Sequence, residues 1–209
     1  MSPEPIASGP ALEDEDRARA VWYALLARLY YRGPDAGLLA SIAQAGTGIS
    51  RETGSPFAAA WRALAAASSK VDPAAVQQEY DDLFVGTGRA EVSLYASHYL
   101  AETGREELLV LLRKELAAMG LSRKETAREP EDHIAGLFDV MRHLIERGSA
   151  DAALQDQRRF FGQFIEPFYA AFCDSVVASR RAEYYYYYGL VAVFTRTFLD
   201  VERDAMNML

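Results

Sequence analysis

The 209-residue chain has almost none of the cysteine that a disulfide-bonded or thiol-dependent protein needs. Its one cysteine, Cys173, has no second cysteine with which to form an intramolecular disulfide. Cys173 lies among Phe172, Val176 and Val177, and this apolar setting predicts a buried, inert thiol. We therefore expect a protein of a reducing compartment.

Long apolar runs are also missing. No stretch approaches the roughly 20 apolar residues that span a bilayer. The chain does not begin with a basic segment followed by an apolar core, which would mark a secretory signal. These absences predict a cytoplasmic protein without stable membrane insertion.

Residue patterns of the common catalytic sites are absent too. The three histidines, His98, His133 and His143, form neither an H-E-x-x-H motif nor the paired E-x-x-H motifs of di-iron bundles. The glycines at 86 and 88 are not followed by the Gly-Lys-Ser/Thr that completes a phosphate-binding loop. There is no G-x-S-x-G nucleophile motif. We expect no catalytic residues, no metal and no cofactor.

Basic residues are fewer than acidic residues. The chain has 22 lysines and arginines against 30 aspartates and glutamates, a formal net charge of −8. A nucleic-acid partner would require a basic surface, so nucleic acid is excluded as an expected partner. The acidity suits a cationic partner, although solubility alone is the favoured explanation.

Helical apolar spacing is present along most of the chain, and no alternating run indicates a strand. Proline after serine or aspartate marks two helix starts, at Ser55-Pro56 and Asp72-Pro73. Pro167 must kink or restart the helix that contains it. The predicted fold is all-α, a single multi-helix bundle, with helices expected near 12–32, 38–42, 55–64, 72–84, 106–119, 129–147, 156–172 and 183–201.

The bundle is predicted to have two halves. Residues 1–10 contain two proline turns and are expected to be a disordered leader before an all-helical domain, 11–209. The polar segment 122–128, SRKETAR, is interpreted as a hinge between an N-terminal half, 11–121, and a C-terminal half, 129–209. Five consecutive tyrosines, 184–188, would point in all directions around the last helix, so some are expected to reach the surface or a partner.

The stretch 79–100 is the least regular and most aromatic part of the chain. Its helical spacing ends at Gly86, where a Gly-Thr-Gly triplet begins, while aromatic residues continue to Tyr99. Such a loop in a helical protein is usually packed down or used for binding.

A second candidate region begins at Glu129. Here Pro130 is predicted as the first residue of a helix, with Asp132 opposite the apolar stripe and His133 on its flank. In one interpretation both residues only stabilise the helix start. In the other, a partly exposed acid and imidazole hold an arginine or an extended peptide. Periodicity does not distinguish the two.

These segments together resemble the TorD/DmsD family of cytoplasmic chaperones that mature molybdenum-containing oxidoreductases. Three motifs occur in the same order and at similar spacing, and the C-terminal helices also look like that family. The motifs are Y-x-x-L-F-x-G at Tyr80, Leu83, Phe84 and Gly86, Y-x-S-x-Y-L at Tyr95, Ser97, Tyr99 and Leu100, and E-P-x-D-H at Glu129, Pro130, Asp132 and His133. One departure is Leu94, where members often have proline.

The resemblance implies a two-part helical fold, as a monomer or a swapped homodimer. It implies binding of the twin-arginine signal peptide and the apo form of a molybdenum-dependent oxidoreductase, here with a leaning toward formate dehydrogenase, until the molybdopterin cofactor is loaded. The peptide-binding residues that it implies are Phe84, Tyr95, Ser97, Tyr99, Glu129, Pro130, Asp132 and His133.

Two other functions remain open at this point. One is a weak nucleotide-binding or nucleotide-hydrolysing enzyme, against which the missing phosphate loop and metal ligands count. The other is a helical adaptor that has no signal-peptide recognition.

Overall fold

The fold is all-α, as predicted. The computed structural model describes residues 14–46, 54–86, 90–100, 105–122, 129–148, 150–179 and 187–208, and within these ranges it has nine α-helices. They are α1 (Asp14–Arg32), α2 (Ala36–Ala45), α3 (Pro56–Ser68), α4 (Pro73–Tyr80), α5 (Arg105–Ala118), α6 (Ile134–Glu146), α7 (Asp151–Phe164), α8 (Glu166–Val177) and α9 (Tyr187–Met208). A π-helical turn, Asp81–Val85, follows α4, and a 3₁₀ turn, Ala96–His98, lies in the next loop.

The helix starts follow the local chemistry of the sequence. The Ser55 hydroxyl accepts the Ala58 amide at the start of α3, and the Asp72 carboxylate accepts the Ala74 amide at the start of α4. Both caps precede a proline in the first turn, as predicted. Pro167 restarts the helix as predicted, because α7 ends at Phe164 and α8 begins at Glu166.

Helix α6 packs along α1 and also against α7. Phe138 of α6 is fully buried between the rings of Tyr23 and Tyr30, which belong to α1. Helix α9 packs against α3 and α8. One continuous core therefore joins residues from both predicted halves of the chain.

Two tyrosine hydroxyls hold the C-terminal end of α1. The Tyr80 hydroxyl lies 3.1 Å from the Tyr30 carbonyl oxygen and 3.0 Å from that of Tyr31, and the Tyr188 hydroxyl donates to the Leu29 carbonyl at 2.8 Å. These are carbonyls that the helix itself leaves without partners. Gly33 then turns the chain at a φ of 75° directly against Tyr80.

The start of α9 is held by a side chain from α4. The Glu79 carboxylate accepts the amides of Tyr187 at 3.2 Å and Tyr188 at 2.6 Å. Burial raises the pKa of Glu79, and the two amide hydrogen bonds partly offset that shift. Tyr187 and Tyr188 are both buried, so the prediction that some of the five tyrosines reach the surface concerns 184–186, which lie outside the described residues.

A buried polar cluster joins the first and last helices. Arg19 of α1 donates to both carboxylate oxygens of Glu202 in α9, at 2.8 and 2.9 Å. The same guanidinium donates to Asp16 at 2.9 Å and to Gln157 of α7 at 3.2 Å. One side chain therefore connects three helices.

Two predicted segments fall outside the described residues. They are the leader 1–10 and the hinge 122–128 except for Ser122. Among the described residues, none of the helices has both the length and the apolar character needed to cross a bilayer. No cluster of three or more candidate metal ligands occurs in that same part of the chain.

Candidate functional site

The loop 90–100 lies against the turn that precedes α6. The Ala96 amide donates to the Asp132 carbonyl at 2.9 Å, and the Ile134 amide donates to the Leu94 carbonyl at 2.9 Å, in a short antiparallel pairing of Tyr95 with His133. Only the carbonyl of Leu94 takes part. Leucine and proline both have this carbonyl. Leu94, where family members often have proline, is therefore compatible with the pairing.

The Asp132 side chain strengthens this pairing. Its Oδ2 accepts the Ser97 hydroxyl at 2.5 Å and lies 3.3 Å from the Ser97 amide. Asp132 is fully buried, and its Oδ1 has no hydrogen-bond partner in the described part of the chain. The interpretation of Asp132 as a partly exposed acid is therefore wrong, because the loop 90–100 covers it.

His133 is the N-cap of α6. The helix begins at Ile134, not near Glu129 as predicted, because residues 129–133 form a turn against the loop. The His133 Nδ1 accepts the Ala135 amide at 3.2 Å, and the ring is only 4% exposed, so the predicted partial exposure is wrong here too. Burial lowers the pKa of His133, against the opposing charges of Glu129 and Asp132. The neutral imidazole thus has its proton on Nε2.

Two aromatic residues of the predicted site, Tyr99 and Phe84, pack against other aromatic side chains of the protein. Tyr99 is half-buried, stacks on Phe168 at 6.2 Å and shares a hydrogen bond with Ser175, which ties the loop to α8. Phe84 is buried against Tyr80 and Tyr188. Neither Tyr99 nor Phe84 lines the groove described next.

A groove of about 1100 Å³ runs between α1 and α6 and ends at the turn 129–131. Three of the predicted site residues line it, Glu129, Pro130 and His133. The other five do not: Phe84, Tyr95, Ser97, Tyr99 and Asp132. Small and apolar residues form much of its surface, among them Val21, Ala24, Ala27, Gly136 and Val140. The structure therefore brings the Asp132–His133 pair, the aromatic loop and a depression together.

The carboxylates of Glu129 and Glu131 lie at the end of the groove that is formed by the turn 129–131. Glu129 accepts the Tyr95 hydroxyl at 2.5 Å, and both oxygens of Glu131 accept Arg113 of α5 at 3.0 Å. The Arg113 side chain is 57% exposed, whereas that of Glu131 is only 10% exposed. The turn therefore presents carboxylate oxygens whose described cationic partner is open to the solvent.

The sequence predictions missed the α1 side of the groove. Tyr31 is 41% exposed, its ring lies edge-on to His133 at 6.3 Å, and the Arg32 guanidinium lies 5.2 Å from the centre of the Tyr31 ring. Arg28 lines the same wall one turn earlier. Helical periodicity distinguishes the buried face of a helix, and it carries no signal for an exposed face that borders a groove.

Comparison with known proteins agrees with this architecture. The family model described as nitrate reductase delta subunit matches residues 51–174. A crystal structure from Archaeoglobus fulgidus, provisionally described as that of a redox enzyme maturation protein, is similar with a TM-score of 0.53 and 18% identity. The alignment covers 95% of this chain and 99% of that one. A search of curated proteins gives no match.

The resemblance seen in the three sequence motifs and the match over more than half of the chain agree. At 18% identity the Archaeoglobus structure supports the fold alone. The chain therefore belongs to the nitrate reductase delta subunit family, the TorD/DmsD-type family of redox enzyme maturation chaperones.

Proposed function

We propose that this protein is a cytoplasmic chaperone that binds the twin-arginine signal peptide and the apo form of a molybdenum oxidoreductase, with formate dehydrogenase as the leading client. The observation that supports this most is the groove between α1 and α6, which ends at a turn bearing Glu129 and Glu131. Such a groove suits a ligand with cationic residues next to an apolar segment.

In this proposal the arginines of the peptide pair with the carboxylates at the turn. Glu129 is half-buried and accepts the Tyr95 hydroxyl, and a carboxylate, with about four lone-pair sites, can accept from several donors at once. An incoming arginine can replace the exposed Arg113 on Glu131. The apolar part of the peptide lies along the surface formed by Val21 and Val140.

The predicted site residues then have two kinds of role. Glu129, Pro130 and His133 are assigned to direct contact because they line the groove. The other five, Phe84, Tyr95, Ser97, Tyr99 and Asp132, are assigned to holding the loop and the turn in place. Binding requires no covalent chemistry; it keeps the precursor from export until the cofactor is inserted, and release then permits transport.

The test is a titration of the protein with a twin-arginine peptide and with its Lys-Lys variant. We expect tighter binding of the arginine peptide, because guanidinium forms bidentate hydrogen bonds with carboxylate and ammonium does not. Glu129→Gln should reduce this preference by about 1–3 kcal/mol of binding free energy. Glu107→Gln on the exposed surface of α5 is the matched control.

Equal affinity for the two peptides would remove the arginine-recognition part of the proposal. A preference that survives unchanged in Glu129→Gln would remove the assignment to this turn. In either case the protein would be better described as an adaptor that contacts its client elsewhere.

A further inference from the structure

The α1 wall of the groove differs in charge from the turn at its end. Arg28 and Arg32 are exposed, four residues apart on α1, and both line the groove. Residues at that spacing lie one above the other on a helix. Among the described residues neither arginine forms an ion pair, although the protein is acidic overall and most of its described arginines are paired. Two unpaired guanidinium groups therefore face the same space.

A third donor lies beside them. His133 accepts the Ala135 amide through Nδ1, which leaves Nε2–H as the polar atom that this ring can offer to the groove. The ring is 4% exposed, and no described group accepts this hydrogen. The Nε2 atom is not one of the fully buried, unpartnered polar atoms of the described chain, so it is open to the groove, where an acceptor on a ligand can reach it.

Two of the three donors, His133 and Arg32, lie on either side of Tyr31, and Arg28 lines the same wall. The Tyr31 ring contacts His133 on one side and Arg32 on the other. The end of α1 that carries these residues is held by the hydroxyls of Tyr80 and Tyr188. The donors are thus presented on a fixed backbone, which reduces the entropy lost on binding.

The acidic residues that also line the groove already have partners. Asp139 and Glu146 pair with Arg142, and Asp35 caps α2 by accepting the Leu38 amide. At the turn, Glu129 accepts Tyr95 and Glu131 accepts Arg113. The α1 wall therefore presents donors for which the described residues supply no ion-pair partner. The carboxylate groups of a ligand would supply acceptors for these donors.

We infer that Arg28, Arg32 and the Nε2–H of His133 form an anion subsite that binds an acidic residue of the client polypeptide. This inference deepens the proposed function, since it adds to the groove a specificity for carboxylate that is separate from recognition of the arginine pair. The client segment that fits is one in which glutamate or aspartate adjoins the apolar stretch, with the arginines directed to the turn.

Three synthetic peptides test the inference. The first has an Arg-Arg pair, an apolar segment and an adjoining Glu-Glu; the second replaces Glu-Glu by Gln-Gln; the third keeps Glu-Glu and replaces Arg-Arg by Gln-Gln. At low salt the wild type should bind the first about fivefold or more tightly than the second, as two charge-assisted contacts predict. Affinity is measured by fluorescence anisotropy.

Variants of the protein test whether the preference for Glu-Glu arises from the α1 wall of the groove. The double variant Arg28→Gln/Arg32→Gln should lose the preference for Glu-Glu, whereas Arg158→Gln should retain it, because Arg158 is an exposed arginine of α7 that does not line the groove. His133→Asn should reduce the preference, since asparagine keeps a cap for α6 but removes the ring donor. Circular dichroism and thermal unfolding confirm that each variant is folded.

The outcomes separate the two proposals. Equal binding of the first and second peptides by the wild type would overturn the anion subsite and leave arginine recognition untouched. Binding of the third peptide that depends on Arg28 and Arg32 would support the subsite even where arginine recognition fails. A nucleoside triphosphate that binds through the same arginines, without any Glu-over-Gln preference among the peptides, would reassign the wall to phosphate.

Discussion

At the scale of single residues, the most informative contact is that between Ser97 and Asp132. It joins two of the sequence motifs, one from the loop 90–100 and one from the turn before α6. Asp132 is fully buried with one carboxylate oxygen unpartnered, so the Ser97 hydroxyl is its principal side-chain partner. A buried carboxyl group whose described hydrogen bonds all come from one residue depends heavily on that residue.

Ser97→Ala should lower the free energy of unfolding by about 1–3 kcal/mol, because it leaves the buried Asp132 carboxylate without its short hydrogen bond. Urea denaturation followed by circular dichroism measures the change. Ser41→Ala is the control, since that hydroxyl is exposed and bonds only within α2, and it should cost about 0.5 kcal/mol or less. Equal effects in the two variants would mean that the Asp132 contact contributes no special stability.

His133 supplies a second prediction at this scale. Its folded-state pKa is lowered, chiefly by burial, so the unfolded chain takes up a proton first as the pH falls. The stabilising contribution is complete above about pH 6.5, the unperturbed value, and is lost as the pH falls from there through the lowered pKa. The free energy of unfolding should therefore decrease below about pH 6.5.

His133→Asn should weaken that dependence, because asparagine caps the helix without titrating. His143→Asn, at an exposed position of the same helix, should leave it as in the wild type. Unfolding curves recorded from pH 8 to pH 5 make the comparison. Identical pH profiles for His133→Asn and the wild type would assign the acid sensitivity to other groups.

At the scale of helices, the position of α1 depends on tyrosines far away in sequence. Tyr80 and Tyr188 cap three consecutive carbonyls at the end of the helix. This gives the motif residue Tyr80 a structural role, since it fixes the turn that carries Tyr31 and Arg32 into the groove. Tyr80 is thus a positioning residue for the groove rather than a contact of the ligand.

Tyr80→Phe should weaken peptide binding severalfold as well as lowering the free energy of unfolding by about 0.5–1.5 kcal/mol. Tyr187→Phe is matched to it, because the Tyr187 hydroxyl is also buried but bonds to Ser68 rather than to α1. That control should lose similar stability and keep wild-type affinity. Affinity loss of the same size in both variants would indicate a general loosening of the fold.

At the scale of the whole molecule, both ends of the described chain are joined through Arg19. The guanidinium connects α1 to Glu202 near the end of α9 and to Gln157 of α7. Together with the packing of α1 on α6, this makes the two predicted halves share one core. A chain built in this way should unfold in a single cooperative transition.

Arg19→Leu should cost about 3–5 kcal/mol of unfolding free energy, because it leaves the Glu202 carboxylate buried without its cation. The double variant Arg19→Leu/Glu202→Leu should recover part of that loss, since both charges are then removed. Arg17→Leu, whose ion pair with Asp14 is exposed, should change stability by about 1 kcal/mol or less. A double variant as unstable as the sum of its single variants would contradict the proposed coupling of the two charges.

The sequence by itself determined the helices, because apolar spacing, Ser55-Pro56, Asp72-Pro73 and Pro167 act over a few residues. The resemblance of three short motifs also identified the family. Tertiary structure alone decided how those motifs meet, because the pairing of Leu94 and Ala96 with the turn before α6 depends on residues nearly forty positions apart.

That pairing buries Asp132 and makes His133 a helix cap, where the sequence left open both a helix-start role and a partly exposed binding pair. It also leaves Arg28, Tyr31 and Arg32 on one wall of a groove. An exposed helix face has the same sequence pattern whether it borders open water or a binding site. Only the packing of α1 against α6 distinguishes the two.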